Sequence, residues 1–93
     1  YYPGLASHTT HHIAAKYMRG FGGLITFVIK DADWRATADI VDACQIPRIG
    51  PSLGGVESLI EQPYVMSYFN YPADQRAKFG ISDNMIRLAC GIE

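Results

Sequence analysis

The chain is poor in several things, and each scarcity closes off a class of function. It has only two cysteines, Cys44 and Cys90, far apart and in apolar surroundings, with no CxxC pair. Buried, reduced thiols in a reducing compartment are therefore expected rather than a disulfide framework. There is no excess of either charge: eight Lys plus Arg face nine Asp plus Glu, for a net charge of -1, and neither sign is blocked together. The electrostatic footprint of a nucleic-acid binder is missing, so no nucleic-acid partner is expected. No apolar run is long enough to cross a bilayer, so no membrane partner is expected either. The first residue is Tyr1, and no basic, apolar or Ser-rich leader precedes the first motif. Any targeting segment is expected outside these residues, which read as a piece of a longer chain.

What is present is ordinary globular material: 93 residues, 48% apolar and 18% charged. A chain of this size buries roughly 60 to 70% of its unfolded surface, enough for one core. After a Pro3-Gly4 turn, Ser7 offers an N-cap to a helix from about His8 to Arg19, with Ile13/Tyr17 and Ala14/Met18 paired at i, i+4 and Gly20 at C′. LITFVI, residues 24 to 29, predicts an interior strand, followed by a turn at 30 to 33. Asp33 caps a second helix, 34 to 44, with an apolar stripe of Trp34, Ala38 and Val41 flanked by Ile40 and Cys44. Strands are predicted at 46 to 49, at SLIEQ (58 to 62) and at MIRLAC (85 to 90). A short helix, ADQRAKF, lies between Pro72 and Gly80. The pattern is α+β: a small, mainly antiparallel sheet with helices on one face.

Most chemistry-bearing patterns fail on inspection. His8, His11 and His12 would share a helical face, but no third ligand type follows and HExxH is absent, so no metal site is expected. GFGGLI, residues 20 to 25, leads into a strand and has Ile25 where GxGxxG needs glycine. Ser82-Asp83-Asn84 has neither SxxK nor KTG to accompany it, and DAD at 31 to 33 lacks the glycine and glutamate of a calcium loop. Two features stay open. In the last strand Ile86, Leu88 and Cys90 alternate with Met85, Arg87 and Ala89, so Arg87 either faces water or offers its planar fork to a carboxylate. In PSLGGVESL, residues 51 to 59, Gly54-Gly55 is either a tight bend or a backbone that must approach a bound molecule.

Taken in order, several strings resemble one family: Tyr2-Pro3-Gly4-Leu5 with Ser7, His8 and His11; Met18 and Gly20-Phe21-Gly22-Gly23 with Thr26-Phe27; Ser52-Leu53-Gly54-Gly55-Val56-Glu57-Ser58-Leu59; and Gly80-Ile81-Ser82-Asp83, Arg87 and Gly91-Ile92-Glu93. They are similar to the pyridoxal-phosphate-dependent trans-sulfuration enzymes, from end to end of the chain. The resemblance implies the carboxyl-terminal domain of such a fold-type I enzyme, residues 1 to 93, cut before the family's last helix. It implies that Ser52 and Arg87 hold the α-carboxylate of an amino-acid substrate, with Leu53, Gly54 and Gly55 as supporting backbone. It places the Schiff-base lysine, the aspartate on the pyridine nitrogen, the ring-stacking tyrosine and the phosphate-binding groups in a preceding large domain and a neighbouring subunit. Lys16, Lys30 and Lys78 match none of these, so no catalytic or cofactor-binding residue is expected in this chain, and the isolated 93 residues are expected to be inactive.

Within the family, several relatives carry Glu before SLGG where this chain has Pro51. The strings YYPGLASH, HHIA, IPRIGPSLGGVES and EQPYVMSY are similar to plant-type cystathionine γ-synthases, which join an activated homoserine ester to cysteine on the route to methionine. That resemblance implies a homotetrameric parent in the cytoplasm, or in the plastid stroma of a plant. The other readings are a methionine or cystathionine γ-lyase of the same family, and a non-catalytic α+β interaction module.

Overall fold

A computed structural model describes residues 1–93. Its elements run α1 (His11–Tyr17), β1 (Leu24–Val28), α2 (Trp34–Ala43), β2 (Arg48–Ile49), β3 (Leu59–Glu61), α3 (Ala73–Lys78) and β4 (Met85–Ala89). The strands form one mixed sheet in the order β1-β4-β3-β2. β4 is antiparallel to both neighbours, and β2 runs parallel to β3.

The expected α+β class and mainly antiparallel sheet are both present. β4 lies centrally because its residues suit two-sided cover: Ile86 is fully buried, and Met85 and Ala89 nearly so. On the Ile86 face, Val41 of α2 and Ile60 of β3 complete the core, with Phe27, Ile29, Cys44 and Leu88 packed around it. α2 begins where predicted, because the Asp33 carboxylate accepts from the Arg35 and Ala36 N–H groups at 3.0 and 2.9 Å. α3 ends where predicted, with Gly80 at φ +72 closing it.

Several expectations need correction. The first helix begins at His11, not His8, because residues before it are spent on turns, with the His8 N–H donating to the Leu5 carbonyl at 2.9 Å. Its end is extended at Met18, so the left-handed glycine is Gly22 (φ 75) rather than Gly20. Ser7 therefore caps nothing, and the three histidines do not share a helical face. The stripe of α2 is also rotated from its predicted position. Thr37 is fully buried, its hydroxyl donating to the Asp33 carbonyl at 2.7 Å, while Trp34 and Ile40 are exposed. Both thiols are free, but Cys90 is exposed, just past Ala89, the last paired residue of β4.

Candidate functional site

The sheet face away from the core carries the polar side chains. Strand register sets Thr26, Arg87 and Glu61 side by side across β1, β4 and β3. Period-two alternation turns all three away from Ile86 and Ile60. The segment from Pro63 to Ile81 arches over this face, leaving a cleft of about 350 Å³ bordered by Thr26, Glu61, Tyr68, Tyr71, Met85 and Arg87.

Arg87 does not simply face water. Its side chain is 20% exposed, and Nη1 sits 3.0 Å from Oε1 of Glu61, itself 1% exposed. Nη2 donates to the Pro51 carbonyl, and to the Ser52 carbonyl at 3.3 Å. Three guanidinium contacts are thus made with protein, and five donors are available. The cation is held at the root of the Gly-Gly loop with donor capacity to spare.

The loop that Arg87 grips is irregular and exposed from Pro51 to Glu57. Gly54 has φ +75, a left-handed conformation that favours glycine, and Gly55 has open space around it. The far end is stitched down by the last three residues. The Ile92 and Glu93 N–H groups donate to the Val56 carbonyl at 2.9 and 3.2 Å, the Ser58 N–H donates to a Glu93 carboxylate oxygen at 2.8 Å, and the Gly91 N–H donates to the Ser58 hydroxyl at 2.9 Å. Leu53 and Gly54 come down beside Gly23, Leu24, Ala89 and Cys90.

Ser52 and Arg87 are therefore brought together, but through the serine's carbonyl; the Ser52 hydroxyl has no protein partner. Gly54 and Gly55 lie in the same loop as expected. Two residues to which the sequence assigns no role of their own matter here. Glu61 anchors the guanidinium, a role that alternation in SLIEQ could have signalled, since Leu59 and Glu61 must share the face opposite Ile60. Gly91 packs so tightly on Val56 and Glu57 that a Cβ there would overlap both. The histidines are otherwise engaged: His11 Nδ1 lies 2.8 Å from the Pro3 carbonyl and its ring stacks on Phe21, while His8 Nδ1 lies 3.1 Å from the Thr10 hydroxyl.

A pyridoxal phosphate site needs an amine for the Schiff base and donors for the phosphate. Lys16, Lys30 and Lys78 are all exposed, and none borders the Arg87 cleft. The residues of this chain do not by themselves make such a site.

The profile of the Cys/Met metabolism PLP-dependent enzymes matches residues 1–93. Cystathionine gamma-synthase 1, chloroplastic, of Nicotiana tabacum is 53% identical over the whole chain, which covers 17% of that protein. Cystathionine beta-lyase of Coxiella burnetii is 50% identical, again over the whole chain and 24% of the relative. A crystal structure of cystathionine gamma synthase from Xanthomonas oryzae pv. oryzae in complex with aminoacrylate and cysteine superposes with a TM-score of 0.89 at 42% identity, covering all of this chain and 24% of that one. The chain thus spans about a sixth to a quarter of the length of these proteins. It belongs to the Cys/Met metabolism PLP-dependent enzymes.

Proposed function

We propose that this chain is the carboxyl-terminal domain of a cystathionine γ-synthase, and that its task is to grip the α-carboxylate of the amino-acid substrate. The observation that carries the reading is Arg87: a half-buried guanidinium on the sheet face away from the core, fixed at one nitrogen and reaching the Ser52–Gly55 loop with the other. A planar, permanently charged fork in a semi-enclosed cleft suits a carboxylate better than any other group here. Its physical role is orientation. A carboxylate held by Arg87, with the unpartnered Ser52 hydroxyl as second donor, fixes the substrate's Cα relative to chemistry supplied elsewhere. The bend at Gly54 lets the backbone come close without a Cβ in the way.

Pyridoxal phosphate belongs to the large domain of the same polypeptide, in a homotetramer of the cytoplasm or plastid stroma. The reaction is γ-replacement on an activated homoserine ester by cysteine, in methionine biosynthesis. The similarity to the tobacco synthase supports the synthase over other members. The second reading is a γ-lyase, since the same clamp would serve it.

Two assays on the full-length enzyme test this. Cystathionine formed from an activated homoserine ester and cysteine supports the synthase; thiol and α-keto acid released from methionine would overturn it in favour of the lyase. Arg87→Ala should leave cofactor absorbance intact and cost about 2 to 5 kcal/mol in kcat/KM, the usual effect of removing one partner of a buried charge pair. A loss below about tenfold, roughly 1.4 kcal/mol, would contradict the clamp.

A further inference from the structure

Glu61 is a buried carboxylate with no role in the grip itself. Its side chain is 1% exposed, on a strand three residues long, where an apolar residue would be expected. Both of its oxygens are engaged. Oε1 meets Nη1 of Arg87 at 3.0 Å, and Oε2 accepts from the Ser67 hydroxyl at 2.8 Å. The register Glu61↔Arg87 makes the pair direct cross-strand neighbours, and Ser67 comes from the segment that arches over the cleft.

We infer that Glu61 is a positioning residue, and that Ser67–Glu61–Arg87 is a relay that fixes the plane of the guanidinium before substrate arrives; the inference rests on Arg87 being the carboxylate grip. The reasoning is geometric. A guanidinium on a flexible stem can rotate about its last torsions, and a planar fork is useful only if its plane is set. Contact at Nη1 directs Nη2 to the carbonyls of Pro51 and Ser52, the root of the Gly-Gly loop. Ser67 in turn holds the carboxylate, which would otherwise have one buried oxygen unpaired. The pairing also leaves a net-neutral couple in the cleft, so that an incoming anion meets a cation already compensated on one side. Orientation then contributes more than raw attraction, as it does where two charges are buried together.

A purely structural ion pair would affect folding and leave the kinetic linkage to Arg87 untouched, so the test reads that linkage. In the full-length enzyme, kcat and KM are measured for wild type, Glu61→Gln, Ser67→Ala, Arg87→Ala and the double variant Glu61→Gln/Arg87→Ala, with cofactor absorbance and thermal midpoint as controls. Glu61→Gln is expected to reduce kcat/KM by about tenfold to a hundredfold, the size of effect that slight misplacement produces. The double variant is expected to be no worse than Arg87→Ala alone, because Glu61 has nothing left to position. Ser67→Ala, at an exposed residue, is expected to lower kcat/KM about threefold to tenfold in the same direction, and it decides the matter if Glu61→Gln fails to fold. Full multiplication of the two losses in the double variant would overturn the inference, and so would a Glu61→Gln enzyme, or if that misfolds a Ser67→Ala enzyme, within threefold of wild type. If Arg87→Ala itself costs less than tenfold, the grip fails and the relay with it; if Arg87→Ala is crippling while Glu61→Gln is not, only the relay fails.

Discussion

Gly54 and Gly55 stand side by side in the loop, but conformation demands glycine only at the first. Gly54 has φ +75, where a side chain is strained whatever space surrounds it, while nothing lies within 4 Å of a Cβ built at either position. Gly54→Ala should therefore lower the stability of the enzyme by about 1 to 2 kcal/mol, and Gly55→Ala by less than about 0.5, measured as shifts in thermal midpoint. Equal shifts would show that the bend is not what holds the loop. Gly91 is a different case. Its constraint is space, since a Cβ would overlap the Val56 carbonyl and the Glu57 backbone, and Gly91→Ala is expected to cost about 1 to 3 kcal/mol by overpacking. The GlyGly pair was legible in the sequence because it interrupts apolar residues. Gly91 was not, because a glycine near the end of a strand gives no sign of what crosses it.

At the scale of elements, signals that are local in the chain were readable and those created by pairing were not. Asp33 opens α2 and Gly80 closes α3 through contacts within a few residues, so the sequence carries them. The parallel pairing of β2 with β3 across the irregular segment 50–58 depends on the rest of the sheet, and nothing within those residues announces it. The sequence places Glu61 in a strand but hides its partner for the same reason. Gln62 next to it is 1% exposed and donates to the carbonyls of Trp34 at 2.9 Å and Asp83 at 2.7 Å, tying the start of α2 to the start of β4. Gln62→Ala should sever this tie, leave the buried end of the Asp83 link without its donor and cost about 1 to 3 kcal/mol, measured by chemical unfolding.

The strap from Gly91 to Glu93 adds a pH dependence. The Ser58 N–H, then the backbone at Glu93 itself, then the Ser58 side chain hold the Glu93 carboxyl below its ordinary 4.5. A depressed folded-state pKa adds stability above the unfolded value, and that stability is lost as pH falls through the folded value. Hydrogen-exchange protection of the Ser58 amide should thus be full above about pH 4.5 and decline below it. In Glu93→Gln that decline should be absent.

Over the whole molecule, little is buried and much apolar surface is left uncovered. Ten of 93 residues are buried, while Tyr17, Trp34, Ile46, Leu53 and Phe69 are left exposed. Apolar surface on this scale is a docking or aggregation surface. The isolated 93 residues should therefore self-associate in light scattering, and with pyridoxal phosphate they should yield no stoichiometric borohydride-reducible adduct. The composition alone could not show this, because 48% apolar is ordinary and the imbalance lies in where the residues point.

The most direct measurement compares wild type and Arg87→Ala in the full-length enzyme on two substrates, the natural amino acid and its neutral α-amide. If Arg87 grips the carboxylate, the loss caused by Arg87→Ala is large on the acid and falls to within about threefold on the amide, since the charge it served is gone. An equal loss on both substrates would mean that Arg87 supports the domain without touching the carboxylate, and would contradict the function proposed for this chain.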